Sequence, residues 1–305
     1  SINNSIFVGS FVSKEYSLTN KLISQAGNNF QHRLVELLNW NLCYSFCPIF
    51  IDSNYNDKIE KTILVKSKFT NKNIFTTLLK VLHINLKLIK IIFKKKNTPV
   101  FFYNIDLTNL FVISVLLFFR KSIFIILADN PNYKNKTFFD KLITVILKSC
   151  KGVLSLSSNS LINSNQIVQH GFFDSKKIIF RNKNKNKNVL FSGSIGLTTG
   201  ISLVLDAFSE LPDYTLHITG RPYHMDEKKL VNLIDGKNIN KNITYHGLLN
   251  FKDYNSLLYN CDIALSTRKP DDKEHSFNFP SKIIEYLSNS LIVISTMKYN
   301  NFHNE

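Results

Sequence analysis

Ser281, Lys282 and Glu285 lie in the stretch FPSKIIEYL, with Pro280 just ahead of them. Pro280 suits the first turn of a helix, where its missing N–H costs nothing. Ser281 and Lys282 then stand at the N-terminus of that helix, the end that attracts phosphate. Glu285 falls one turn later on the same side. A carboxylate there can accept both hydroxyls of a ribose. A base, a helix terminus and a diol acceptor at this spacing suit a nucleoside diphosphate.

Glycines supply a second group. Gly193, Gly196 and Gly200 form G-x-x-G-x-x-x-G directly after the expected strand Val189–Phe191. Such a loop lets backbone N–H groups approach a phosphate. It is not the fingerprint G-x-G-x-x-G, so by itself it reads equally as a turn.

These residues need elements to hold them, and the chain alternates strand and helix patterns throughout. In the first half, Ser5–Val12, Pro99–Tyr103, Ser122–Leu127, Gly152–Ser157 and Ile167–Gln169 read as strands. Helices are expected over Asn28–Trp40, Ile74–Phe93, Leu107–Phe119 and Thr137–Ser149. In the second half, strands are expected at Val189–Phe191, Tyr214–Thr219, Ile243–His246, Cys261–Ser266 and Leu291–Ser295. Helices there are Ser202–Ser209, Phe251–Tyr259 and Ser281–Ser288. The alternation predicts an α/β protein with parallel sheets covered on both faces. The reading is two Rossmann-like domains, 1–180 and 189–305, joined by the polar run RNKNKNKN over 181–188. The chain stops ten residues after the last strand; the expectation is a missing closing helix and a truncated second domain.

In open α/β sheets, ligands bind at the carboxyl ends of strands. That rule selects 193–200, 220–223, 246–248, 266–272 and 277–285. It adds Gly220, Arg221, His246, Gly247, Leu248 and Arg268 to the candidates. In the first half it selects Gly9 and Ser10 after the first strand and Asp129 after Ser122–Leu127. Asp271 and Asp272 lie in the polar loop KPDDKEH, without the strand-end setting of a metal-binding D-x-D. Cys43, Cys47, Cys150 and Cys261 lack a second pair at zinc spacing. No metal is expected.

The net charge is +16, and hydrophobic residues make up 44% of the 305 residues, which excludes disorder. Residues 1–180 carry a net +14 and residues 189–305 a net −2. The densest stretch, Lys58–Lys96, has 11 bases and one acid, Glu60. Lys80, His83, Lys87, Lys90 and Lys94 would form one polar stripe on a helix carrying Leu78, Leu79, Leu82, Leu86, Ile89 and Phe93. The stripe reads as a solvated edge or as an interfacial helix facing anionic lipid. The lysines alternate with aliphatic residues, so lipid is expected and nucleic acid is not. No apolar run reaches the length of a spanning helix, and Ser1–Phe11 lacks the features of a signal peptide.

The second half resembles the retaining, B-type glycosyltransferases of family four, as found in bacterial capsule and lipopolysaccharide synthesis. VLFSGSIGLTTGISLVLDAF, YTLHITGRPY and FPSKIIEYL with LIVIST carry the match over about 110 residues; GSF and SQAGNNFQ match weakly in the first half. The resemblance implies two domains facing a cleft, a nucleotide-sugar donor and no other cofactor. It implies transfer to a lipid-linked or oligosaccharide acceptor, at the inner face of the cell membrane. The donor side would hold Gly193, Ser194, Gly196, Thr199, Gly200, Gly220, His246, Gly247, Leu248, Arg268, Pro280, Ser281 and Glu285. Lys282 and Arg221 would neutralise the leaving diphosphate. Asp129 would orient the acceptor hydroxyl, with Gly9, Ser10 and Asn28 on the acceptor side. The chain departs from the pattern at three positions. Ser194 and Thr199 stand where Arg and Lys are usual, and Phe277 stands where the first of two glutamates is usual. Those departures keep a catalytically silent partner protein open, and the basic charge keeps a nucleic-acid binder as a further alternative.

Overall fold

The protein is described here from a computed structural model. It describes residues 4–20, 23–38, 40, 42–46, 55–69, 73–128, 137–156, 163–169, 187–238, 241–268 and 281–296. The chain divides into two compact units, the first over Ser1–His170 and the second following it.

The strands of the first unit are β1 Ile6–Gly9, β2 Leu42–Phe46, β3 Thr62–Val65, β4 Val100–Tyr103, β5 Ile123–Leu127, β6 Gly152–Ser155 and β7 Gln166–Val168. They form one parallel sheet in the order β3-β2-β1-β4-β5-β6-β7. IFVG, VFFY and IFIIL are almost wholly apolar, as parallel strands covered on both faces must be. The helices are α1 Lys14–Thr19, α2 Gln25–Leu38, α3 Ile74–Phe93, α4 Leu110–Phe118 and α5 Phe138–Ser149. Right-handed crossovers that step outward from β3 to β4, β5 and β6 place α3, α4 and α5 on one face. In keeping with this, α3 packs on α4 and α4 on α5. The core between them and the sheet holds Ile6, Phe102, Ile125, Leu88, Ile113 and Leu147.

The second unit has β8 Asn188–Ile195, β9 Thr215–Pro222, β10 Ile243–Tyr245, β11 Ile263–Ser266 and β12 Ile292–Ser295. They form a parallel sheet in the order β10-β9-β8-β11-β12. A 3-10 turn at Leu197–Thr199 leads into α6 Ile201–Ser209. Then follow α7 Glu227–Asp235, α8 Phe251–Asn260 and α9 Ser281–Ser288. Val189, Phe191, Leu205, Leu216 and Ile218 centre its larger core, while Leu190, Leu258, Ala264 and Tyr286 form a second cluster on α8 and α9.

Buried asparagines tie the turns to the sheets. Asn85 donates to the carbonyls of Val81 and Thr108 and accepts from the Val112 amide, which locks α3 to α4. Asn163 donates to the Leu147 and Cys150 carbonyls at the end of α5. Asn242 Nδ2 reaches the carbonyls of Phe208 at 3.2 Å, Leu211 at 2.9 Å and Tyr214 at 3.0 Å, closing the turn between α6 and β9. Asn242→Ala removes this donor from buried carbonyls. It is expected to lower stability by about 2–3 kcal/mol, read by denaturant unfolding.

The structure corrects several expectations. Strands β2 and β3 and helices α1 and α7 were not anticipated. The linker expected over 181–188 ends inside the sheet: Lys187 accepts from the Thr215 amide and Asn188 opens β8; residues 181–186 lie outside the described residues. Lys80 is not on a solvated stripe but 2% exposed, on the buried face with Ile84, Asn85, Leu88 and Ile92. The contact of Asn85 with α4 fixes the rotation of α3, so that face turns inward. Leu78, Leu82 and Leu86 turn outward instead.

Candidate functional site

The site forms where the carboxyl ends of β8, β9, β10 and β11 come together. Gly193–Ile195 was expected as loop, yet it continues β8 as a ribbon with the end of β9. Gly193 pairs with Gly220, Ser194 with Arg221 and Ile195 with Pro222. Both glycines have positive φ, +127° and +144°. A Cβ on Gly220 would lie 1.8 Å from the Gly193 carbonyl oxygen. The sequence therefore needs glycine at 220 to bring the two strand ends this close.

The turn after the ribbon is held from within. Thr199 Oγ1 accepts from the Gly196 amide and donates to the Gly196 carbonyl, both at 2.8 Å. The amides of Thr199 and Gly200 bond to the carbonyls of Gly196 and Leu197. The phosphate-cradling amides expected of Gly196 and Gly200 are thus spent inside the turn, and the Thr199 side chain is buried. Gly200, at φ +79°, starts α6 with no side-chain cap. It abuts the end of β11, just past which Thr267 Oγ1 donates to the Thr199 carbonyl at 2.9 Å. Arg268 follows, its amide and carbonyl both bonded to Thr296 Oγ1 at 2.8 Å.

On the other side, the Gly220 amide and Thr219 Oγ1 both donate to the Gly247 carbonyl, which brings the His246–Gly247 segment against the end of β9. Leu248 is exposed. Arg221 is half-buried, and burial draws its guanidinium below the usual arginine range, although it stays a cation.

Lys282 and Glu285 meet as the spacing on α9 requires. Lys282 Nζ lies 2.6 Å from Glu285 Oε2 and 3.0 Å from Tyr254 Oη, and it sits 4.7 Å from the centre of the Tyr254 ring. Tyr254 Oη in turn lies 2.9 Å from Glu285 Oε2. A carboxylate only accepts, so the single Tyr254 hydroxyl proton points at Glu285. Ser192 Oγ, 3.1 Å away, must then donate to Tyr254, and Tyr286 Oη, 2.8 Å from Ser192 Oγ, donates to the serine. The chain of hydroxyls runs one way, from Tyr286 through Ser192 and Tyr254 to Glu285. Burial by itself would lower the Lys282 pKa, but the attraction of Glu285, with smaller contributions from Tyr254 and Tyr286, carries it well above the ordinary lysine value. Burial raises the Tyr254 pKa, so the phenol keeps its proton. The two ionic side chains remain 36% and 37% exposed. They can turn from each other to a phosphate and a diol.

His217 on β9 and His246 stack at 5.3 Å, with His217 Nδ1 3.0 Å from His246 Nε2. One ring must donate and the other accept, so the bond requires at least one lone pair. Burial lowers both pKa values, and the His246 charge lowers that of His217 further. The unfolded chain therefore binds more protons than the native chain below about pH 6.5. Stability from this pair is fully present above that pH and falls as the pH drops. Unfolding midpoints are expected to decline from pH 7 to pH 5, with a shallower decline in His217→Gln.

In the first unit, Gly9, Ser10 and Asn28 prove to be parts of one clamped loop. Asn28 is 2% exposed; its Oδ1 accepts from the Val12 amide and its Nδ2 donates to the Val12 carbonyl. Gln31 accepts from the Ser10 amide and donates to the Ser10 carbonyl. A Cβ on Gly9 would meet Gln31 Oε1 at 2.5 Å. Asn28 and Gly9 are thus buried supports of the loop and not an exposed lining. Asp129 and Pro280 lie outside the described residues, as do Cys47, His170, Asp271, Asp272 and Phe277. Cys43, Cys150 and Cys261 are buried thiols outside any disulfide. Burial pushes Cys43 up to about 11 and Cys150 up to about 12, so neither is a nucleophile.

Sequence reasoning did not give roles to Ser192, Tyr254, Tyr286 and His217. Their signal was a hydroxyl or ring at an otherwise apolar position: Tyr286 in IIEYL, and His217 inside the strand YTLHIT.

Residues 173–303 match the family model described as glycosyl transferases group 1. Comparison with curated proteins gives no match. Among solved structures, sucrose-phosphate synthase from Thermosynechococcus elongatus aligns with a TM-score of 0.67 at 13% identity, covering 95% of this chain and 81% of that one. The lipopolysaccharide outer core galactosyltransferase WaaB in its apo form aligns at 0.58 and 18% identity, covering 97% and 82%. The α,α-trehalose 6-phosphate synthase from Burkholderia multivorans aligns at 0.59 and 10% identity, covering 97% and 82%. At these identities the likeness establishes the fold, that of GT-B glycosyltransferases with two Rossmann-like domains. The match over 173–303 makes the second unit similar to a group 1 glycosyl transferase domain.

Proposed function

We propose that the chain transfers a sugar from a nucleotide-diphosphate sugar to a lipid-linked or oligosaccharide acceptor, in the synthesis of a bacterial surface polysaccharide or glycolipid. The reading includes family four, retention of anomeric configuration, no metal, and a place at the cytoplasmic face of the cell membrane. The observation that carries it is the Lys282–Glu285 pair bridged by Tyr254 at the head of α9, inside the matched domain. Glu285 would take the ribose hydroxyls. Lys282 and Arg221 would neutralise charge as it develops on the leaving diphosphate. Ser194, Gly193, Gly220, Arg268, Ser281 and the α6 terminus at Gly200 would complete the donor side, with the base near His246–Leu248. Asp129 would orient the acceptor hydroxyl. Retention fits attack from the face of the departing phosphate, which needs no protein nucleophile.

The test is turnover of a panel of nucleotide sugars by the purified chain, followed by nucleotide release and by the anomeric configuration of the product. Release that depends on Glu285 with a retained anomer supports the reading, and an inverted anomer overturns the retaining mechanism. The committed Thr199 hydroxyl and the Phe277 substitution favour a second reading, a catalytically silent partner. Nucleotide binding without release of nucleotide, even with an acceptor extract, would support that reading instead.

A further inference from the structure

We propose that the outward face of α3, α4 and α5 is a docking surface for an anionic lipid bilayer. The inference rests on the membrane-side reading above for its biology and on the surface itself for its chemistry. Leu78, Leu82 and Leu86 lie four residues apart on α3 and are all exposed, Leu78 by 62%. Phe111 and Phe118 are exposed on the neighbouring α4, Phe118 by 82%, and Val145 is exposed on α5. Three adjacent helices therefore each present large apolar side chains to solvent, where a monomeric soluble protein keeps such patches small. Helix α3 is locked to α4 through Asn85 with its leucines outward, so their exposure is set by the fold.

The rim decides the occupant. Between residues 61 and 128 there are 12 lysines and arginines and one acid, Asp106; Lys80 is buried and Lys72 lies outside the described residues, so neither is counted in the rim. Lys90 and Lys94 stand exposed along α3 beside the leucines, and Lys141 and Lys148 are exposed on α5. A second copy of the chain would set this positive face against itself, since a two-fold interface repeats the same patch. Nucleic acid would be read by rings interleaved with bases, whereas the exposed lysines of α3 stand among leucines and the exposed rings Phe111 and Phe118 lie on α4, which carries no Lys or Arg. An anionic headgroup layer over acyl chains matches both the rim and the centre. Among the described residues no helix is long and apolar enough to cross a membrane, so the face would rest on the bilayer.

Co-sedimentation of the full chain with large vesicles tests this directly. One set is phosphatidylcholine alone, and the other carries about a third phosphatidylglycerol. The expected result is binding to the anionic vesicles that weakens at least tenfold when salt rises from 0.1 to 0.5 M. A similar loss is expected in Leu82→Glu/Phe118→Glu and in Lys90→Glu/Lys94→Glu. Both double variants change exposed residues and should keep the unfolding transition and any nucleotide-induced stabilisation of the native chain. That readout separates a failure of docking from a failure of the transferase reading. The proposal is overturned if anionic vesicles do not bind, or if both variants bind like the native chain. It is also overturned if sedimentation equilibrium shows a dimer that Leu82→Glu/Phe118→Glu disrupts.

Discussion

Lys282→Ala is expected to lower turnover of the donor sugar by about 10²–10³ in kcat. The ammonium is held 2.6 Å from Glu285 and 3.0 Å from the Tyr254 hydroxyl. It therefore stands on the same face as Glu285, and on the proposed reading it would exchange that carboxylate for a phosphate. On that reading the gain in kcat would come from charge that develops only as the diphosphate leaves, so the loss should fall on kcat more than on KM. Tyr254→Phe keeps the ring under the ammonium but removes the hydroxyl that fixes both ionic groups. A smaller loss is expected there, with KM rising because Lys282 and Glu285 are no longer held in register. Steady-state kinetics with a matching unfolding transition would check both. A kcat within threefold of native in Lys282→Ala would remove the residue from the chemistry.

Gly220→Ala is expected to be the most destabilising of the glycine substitutions, by at least about 3 kcal/mol. Two independent effects add. The residue adopts φ +144°, which L side chains rarely adopt, and its Cβ would fall 1.8 Å from the backbone oxygen of Gly193. A backbone atom in a paired strand cannot swing aside as a side-chain tip can. Gly247→Ala is the control: its φ of +63° has no atom within 4 Å of the added carbon, so only the left-handed backbone cost of about 1–2 kcal/mol applies. For a unit of this size, the difference corresponds to several degrees in the melting midpoint. Equal midpoints for the two variants would mean that the β8–β9 ribbon is not held as described.

The legible parts of the fold were those with a strong period. Helix α3 was expected at Ile74–Phe93 and is found there, because twenty residues of 3.6 periodicity leave little freedom. Strands β2 and β3 escaped notice. LCYSF and TILV are only five and four residues long, too short to show a period of their own. The period also misled at Lys80. Five bases at spacings of three and four describe a stripe, but which side of a helix faces solvent depends on its neighbours. The Asn85 bonds to α4 turned Lys80 inward and the leucines out.

The site shows the same division. Lys282 and Glu285 met as expected because three residues on a helix fix their separation. The hydroxyl chain through Tyr286, Ser192 and Tyr254 joins three segments far apart in sequence, and no local spacing encodes it. The glycine loop was half legible. Its residues were right for close backbone approach, but that approach is between Gly193 and Gly220, while Thr199 satisfies the turn that was expected to hold a phosphate.

The central claim is that the carboxyl ends of β8–β11 with α9 bind a nucleoside diphosphate. Thermal unfolding of the native chain and of Glu285→Ala, each with UDP, GDP, CDP and dTDP, tests it most directly. A ligand that binds only the native state raises the midpoint by mass action, by about 2.7 kcal/mol at a hundred times its Kd. The expected result is stabilisation of the native chain by one of these nucleotides and little or none in Glu285→Ala. No stabilisation by any of the four, or equal stabilisation of both proteins, would contradict it.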